Sequence, residues 1–377
     1  MHGAVALVPV DVDELRAEAR AWLARHRADA PTDYGAILPP DLYERGCAWQ
    51  RLLFAEGWAG IHWPQEYGGR GLTPEHNAAW MEECALAGVA PFINMVGVVL
   101  AGGALLRYGT PAQQQRHLRS TLTADEVWCQ LFSEPGAGSD LAGLTTSAVR
   151  DGEQYIINGQ KVWCSGGRYS DWGILLARTD PTAARHKGIS FFLLDMHAPG
   201  VEVRALRQMT GEAEFDEVFF TDVVMPADCR LGPENEGWSV AMAVLTNERG
   251  HIGASVIGLE RRLEALAAIG AGEGLDALSR DRLASLLGRG HAMKALGQRR
   301  AEGISGSLMK LGITELLFDA AMLRGAIAGA GAVLEGPDAR GMLAAPGGRI
   351  AGGTSQIQRT IIGERLLGLP REPKGET

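Results

Sequence analysis

The chain has 377 residues, 46% hydrophobic and 21% charged, which is long enough for two or three buried cores at roughly 100–200 residues per domain. Lys and Arg number 36 against 45 Asp and Glu, a formal charge of −9, and no long basic run offsets it, so duplex nucleic acid or an anionic membrane is excluded as the main partner. Five scattered cysteines (Cys47, Cys84, Cys129, Cys164 and Cys229) show no CxxC spacing, which excludes a disulfide framework and a zinc site.

In chain order, the opening MHGAVALVPVDVDELRAEAR turns acidic too early for a signal peptide, and a cytoplasmic location is expected. Residues 1–126 carry apolar positions three and four apart, as in VDELRAEARAWLARH and LYERGCAWQRLLFAEGW, and predict a helical domain with Asp11 as an N-cap. The cluster Gly68, Gly69 and Gly71 breaks that pattern. Over 127–230 the period changes to two. Runs such as VWCQLFS, EQYIINGQKVWCS, DWGILLART, GISFFLLDM, GVEVRAL and FDEVFFTDV predict six or seven strands of an antiparallel sandwich or barrel. Turn signals stand at Asp151–Gly152, Asn158–Gly159 and Asp180–Pro181. Helical periodicity resumes over 231–377, with loops expected at Gly270–Gly274 and Gly336–Gly348. No window reaches the roughly 20 nearly uncharged apolar residues of a membrane-spanning helix.

Four places carry chemistry. In QLFSEPGAGSD the glycines permit close backbone approach to a ligand, and Ser133 and Ser139 add hydroxyls, although a plain loop between strands would look alike. In NGQKVWCSGG, strand alternation puts Trp163 and Ser165 on one face, an aromatic ring beside a hydroxyl that suits a flat heterocycle, although taken alone the segment reads more readily as a core tryptophan. In IAGGTSQIQRTIIGER, Thr354 or Ser355 can cap a helix whose free N–H groups favour electron-rich ligand atoms, as any capped helix would. Glu248 falls on an apolar helical stripe with Val244, Ile252 and Val256. Burial there raises a carboxyl toward the range of a general base, unless Arg249 simply neutralises it.

Taken in order, these segments resemble the acyl-CoA dehydrogenase family. HWPQEYGGRGL is similar to its N-terminal WPxxxGG turn, LFSEPGAGSD to its (T/S)EPxAGSD signature and INGQKVWCSGG to its NGxKxWITNG strand. FDEVFFTDVVMP with LGPENEGW resembles the segment that closes the middle domain, and GGTSQIQRTIIGERLLGLPR the C-terminal helix. The resemblance implies an α+β fold with an N-terminal helical domain, a central antiparallel β-barrel domain and a C-terminal four-helix bundle. It implies FAD as cofactor, an acyl-CoA substrate, an electron-transferring flavoprotein as acceptor, and a tetramer. It places Phe132, Ser133, Trp163 and Ser165 at the flavin ring, Thr354 and Gln356 at the FAD, and Ser139 at the CoA pantetheine.

This chain departs from the pattern at Gly352. Most members have the catalytic glutamate there, in an EGT triplet, whereas a branch carries it before an Arg on the helix that opens the C-terminal domain. Glu248–Arg249 stands at that place, so the resemblance implies Glu248 as the α-proton base, hydride transfer to flavin N5, and the Gly352 amide as an oxyanion donor. Arg249 then belongs with the substrate-binding residues. The family's RxxFG segment has no match near Leu278–Arg289, and its QxxGGxG loop is replaced by Gly331–Gly348. Both normally complete the FAD site of a neighbouring subunit. The resemblance therefore leaves open a homotetramer, in which Arg282 or Arg289 substitutes, and an α2β2 heterotetramer with a related chain, as in steroid side-chain dehydrogenases. It is also compatible with a same-fold flavin oxidase or monooxygenase, and with a carrier-protein thioester in place of the CoA substrate.

Overall fold

The computed structural model describes residues 10–32, 34, 38–248, 252–272, 274–299 and 306–371. They form two compact units, one made of residues up to 136 with 142–205 and 214–248, the other of 137–141, 206–213 and the chain from 249 onward.

The first unit begins with helices α1 (Val12–His26), α2 (Tyr43–Ala55), α3 (Pro74–Ala87), α4 (Gly102–Tyr108) and α5 (Pro111–Thr123), with a π-helical turn, Val96–Ala101, running into α4. Asp11 caps α1 as expected, its carboxylate accepting from Asp13 N at 2.8 Å. The helices close around tryptophans, with Trp58 and Trp80 stacked at 4.6 Å and Trp22 packed beside both. Buried Asn94 ties the π-turn to the sheet. Its Nδ2 donates to Thr121 O and Glu126 O, and its Oδ1 accepts from Trp128 N at 3.2 Å.

The sheet has strands β1 (Trp128–Leu131), β2 (Ser147–Asp151), β3 (Gln154–Ser165), β4 (Trp172–Arg178), β5 (Ile189–Asp195), β6 (Val201–Leu206), β7 (Phe215–Pro226) and β8 (Arg230–Leu231). Their order is β6-β7-β3-β2-β4-β5-β8, with β1 beside β4. β3 pairs antiparallel with β2 and β7, and β5 with β4 and β8, whereas β4 runs parallel to β1 and, at Ser147↔Arg178, to β2. The period-two pattern does not mark the short β2 and β8. One side of the sheet buries Cys129, Tyr155, Ile157, Phe192, Phe220 and their neighbours in a single core. Asp151–Gly152 turns the chain between β2 and β3, with Gly152 at φ +59°, as expected. Asn158–Gly159 corrects the expectation of a turn, because it lies inside the continuous β3. Asn158 instead pairs with Asp222 on β7 (Nδ2 to Oδ1, 3.0 Å), and the ladder shifts register beside Gly159.

Helix α6 (Gly237–Glu248) completes this unit. Gly237 lets its first turn lie against β5, since a Cβ there would stand 2.4 Å from Phe191 N.

In the second unit α7 (Ile252–Gly272), α8 (Ala277–Gln298), α9 (Gly306–Ala328), α10 (Pro337–Ile350) and α11 (Ser355–Ile361) pack around Leu259, Leu263, Leu286, Met309, Leu316 and Leu323. Two glycine-rich stretches expected as loops are largely helical instead. The first runs on as α7 to Gly272 and turns at Gly274, at φ +65°, and most of the second is α10. Pro337 suits the first turn of α10, Asp338 pairs with Arg324 of α9, and Arg349 pairs with Glu315 at 3.2 Å, so contacts with α9 override the weak propensity of the glycines. A third correction concerns apolar length. The helix Gly306–Val333 is long and apolar enough to cross a membrane by length and composition, because Leu316 to Val333 holds only Asp319 and Arg324 as charges. Met309, Ile313, Leu316, Ala320 and Leu323 of that helix pack into the bundle core.

Candidate active site

In the first unit the segment after β1 lies against β3. The Phe132 ring is buried edge-on to Phe191, with centroids 5.8 Å apart. The Ser133 carbonyl accepts from Val162 N at 2.9 Å, and the Phe132 carbonyl accepts from Lys161 Nζ at 3.0 Å. Beyond Lys161, β3 advances three residues against two on β7, from Lys161↔Val218 to Cys164↔Asp216. This bulge holds Trp163 at φ +61°, a conformation unusual for a bulky residue. The indole is 56% exposed and meets Phe215 edge-on at 5.8 Å, so the chain does not use it as a core residue. Cys164 is fully buried between Trp163 and half-buried Ser165, so the predicted alternation holds across these three positions.

After β3, Asp216 accepts from Arg168 N at 3.0 Å and pairs with the Arg168 guanidinium at 2.6 Å, fixing the turn that carries Ser165 and Gly166. Burial raises the Asp216 carboxyl, with Arg168 opposing. Burial likewise pushes the Cys129 thiol up to about 12 and the Cys164 thiol well above its ordinary value, so neither provides a thiolate nucleophile. Ser165 and Gly166 also line a cavity of 310 Å³ within the same unit, shared with Tyr34, Leu38, Tyr43 and Trp128. The Tyr43 hydroxyl donates to Tyr169 O at 3.0 Å.

In the second unit, the double-glycine turn expected to face the ligand is fixed from both sides. Gly352 and Gly353 sit at φ +63° and +91°. Gln358 Nε2 donates to Gly352 O at 2.9 Å, and Lys310 Nζ to Gly353 O at 2.7 Å. Neither glycine N–H donates to another described group. Thr354 is the N-cap of α11, its hydroxyl accepting from Ile357 N at 3.2 Å, whereas Ser355 donates to Glu315 at 2.7 Å. Gln356 is exposed at the start of that helix, and Ser139 is exposed in the loop after β1.

Glu248 is the last residue of α6, four places after buried Val244. Its side chain, like Arg249 as a whole, lies outside the described residues. Of the two basic candidates for an FAD pyrophosphate, Arg289 is engaged with Asp319 at 2.9 Å and Arg282 is exposed on α8. The stretch that replaces the family's glycine loop is mostly α10.

Sequence reasoning missed Lys161, Glu134 and Lys310 as supports of the site. For Lys161 a signal existed, since it shares the parity of Tyr155 and Ile157 along β3 and so points inward with them. Nothing near Lys310 announced its contact with Gly353, 43 residues away.

The residues present fit FAD. A broad aromatic face held out of the core at a strained bulge, two residues before the Ser165 hydroxyl at the strand end, suits a flat heterocycle.

The comparisons agree in order and extent. Residues 10–125, 129–223 and 235–367 match the descriptions of the acyl-CoA dehydrogenase N-terminal, middle and C-terminal domains. The chain is 39% identical to the acyl-CoA dehydrogenase IpdE1 of Mycobacterium tuberculosis, over 97% of this chain and 100% of that protein. Among solved structures it is similar to the Tcur3481-Tcur3483 steroid ACAD, with TM-score 0.81 and 29% identity over 97% of this chain and 99% of that one. It is also similar to the ChsE4-ChsE5 complex of Mycobacterium tuberculosis, with TM-score 0.76 and 28% identity over 98% of this chain and 100% of that one. With three domains matched in sequence order, the fold shared along nearly the whole length and a site that suits a flavin, the chain belongs to the FAD-dependent acyl-CoA dehydrogenase family.

Proposed function

We propose that this chain removes the α proton and the β hydride of a saturated acyl-CoA to give the trans-2-enoyl-CoA, with Glu248 as the base. The observation that carries the assignment is the turn at Gly352–Gly353, which has no carboxylate and two N–H groups without an acceptor among the described residues. An α proton is too weakly acidic to leave unless hydrogen bonds stabilise the developing enolate oxygen, and the Gly352 amide is the donor we assign to that oxygen. Glu248 takes the proton on its carboxylate while the Cα–Cβ double bond forms. FAD, when bound, supplies the acceptor for the Cβ hydride. Phe132, Ser133, Trp163 and Ser165 are the residues we assign to its ring, Thr354 and Gln356 those we assign to the rest of the FAD, and Ser139 and Arg249 those we assign to the CoA thioester. An electron-transferring flavoprotein then reoxidises the enzyme.

A ring-bearing acyl group of the steroid side-chain type is the substrate class we favour, supported by the steroid ACAD among the similar structures and by the 310 Å³ cavity beside Ser165. The assembly we favour is an α2β2 complex with a related chain. The partner-side Arg and glycine-loop motifs are absent together, and a similar solved structure is the ChsE4-ChsE5 complex of Mycobacterium tuberculosis.

Glu248→Gln tests the base. The variant should retain FAD and substrate binding while turnover falls by at least the roughly 10²–10⁴-fold of general acid–base assistance. Near-normal turnover would remove Glu248 from the mechanism. Rapid reoxidation of the substrate-reduced enzyme by air would point to an oxidase instead.

A further inference from the structure

A lysine buried in the middle of a strand is rare unless it is paired. The Lys161 side chain is fully buried in β3, and its ammonium donates to Glu134 Oε1 at 2.8 Å and to Phe132 O at 3.0 Å. Glu134 also accepts from Thr145 N at 2.7 Å, Thr145 Oγ1 at 2.8 Å and Thr146 N at 2.8 Å. One cation and one carboxylate thus fasten three stretches together: Phe132–Glu134, Thr145–Thr146 and β3. Stability alone is a weak reason for such a pair, because well-packed apolar residues often replace buried ion pairs without loss.

The backbone supplies a stronger reason. The bulge in β3 starts at Lys161, and two residues later Trp163 stands at φ +61° with its ring outside the core. A bulky side chain persists in that conformation only where its surroundings over-determine it. Val162 N, between the two, donates to Ser133 O at 2.9 Å, so the same few residues also locate Phe132 and Ser133.

We infer that Lys161 is a positioning residue: its pair with Glu134 holds the bulge of β3 so that Trp163 and the Phe132–Ser133 backbone are presented together to the flavin. The inference rests on the proposed placement of Trp163 against the flavin. Both charged side chains are buried, so the role assigned to them is positioning.

The test uses the assembled holoenzyme as wild type, as Trp163→Ala, and as the double variant Lys161→Met with Glu134→Gln, which removes both charges and leaves neither buried alone. The readouts are the visible circular dichroism of bound FAD and the FAD dissociation constant, with thermal stability measured alongside. The double variant should alter the flavin spectrum and raise the dissociation constant about 10–100-fold, the scale of a charged hydrogen bond lost. A wild-type spectrum and affinity in the double variant, with both changed in Trp163→Ala, would overturn the positioning role alone. No change in Trp163→Ala would overturn the Trp163 placement and this inference with it. If the double variant does not fold, Glu134→Asp decides, since it keeps both charges and withdraws the acceptor by one methylene. A shifted flavin spectrum supports the inference, and a wild-type spectrum overturns it.

Discussion

Lys161 and Glu134 work against burial in opposite ways. Burial lowers the Lys161 ammonium and the Glu134 charge opposes that pull, leaving it at about 8. Burial alone would raise the Glu134 carboxyl, but the Lys161 charge together with the Thr145 and Thr146 donors outweighs it and holds the group at about 2. A carboxyl depressed in the folded state stabilises the fold above its unfolded value, and that contribution is lost as pH falls through the folded value. The window therefore runs from about 4.5, the ordinary glutamate value, down to about 2. Urea midpoints measured between pH 6 and 2.5 should fall more steeply for wild type than for the Lys161→Met, Glu134→Gln double variant. Parallel curves would show that the pair does not govern acid stability. Lys161 was legible as an inward-facing position but not as a paired one, because its partner lies 27 residues away.

At the scale of elements, α6 matters most, because it begins on the sheet and ends at Glu248. Its first residue, Gly237, has no room for a Cβ against the backbone of Ser190 and Phe191, which cannot swing aside as a flexible side chain would. Gly237→Ala should destabilise the protein by about 1–3 kcal/mol, the scale of overpacking, and should lower turnover by moving the helix that carries the base. Chemical denaturation and steady-state kinetics check both halves. A stability loss with unchanged turnover would mean that the base is set independently of the helix start. The apolar period of this helix was plain in the sequence, whereas its close approach to β5 was not, since a glycine at a helix start is equally at home in solvent.

At the scale of the whole molecule, the proposed α2β2 assembly is what completes the FAD site. Val333, Leu334, Ile350, Leu367 and Leu369, all in the second unit, are exposed in the single chain. Apolar surface of this kind is commonly covered by other subunits. Purified alone, the chain should be deficient in FAD and gain it on mixing with a related partner chain. Native mass and the flavin-to-subunit ratio measure this. A stable homotetramer with one FAD per chain and full activity would sink the heteromeric reading.

The switch of period from helix to strand and back determined the order of helical, strand and helical regions, a local signal fixed within a dozen residues. Five ordered motifs, through their resemblance to a known family, implied the family and the cofactor. Tertiary structure alone decided that Asn158–Gly159 stays within a strand, that the glycine-rich stretch after 336 is a helix, and that the Gly352–Gly353 turn is anchored by Lys310. In each case a partner distant in the chain (Asp222, α9 or Lys310) supplies the contact that overrides or fixes the local preference. The sequence names both members of such a contact without stating that they meet.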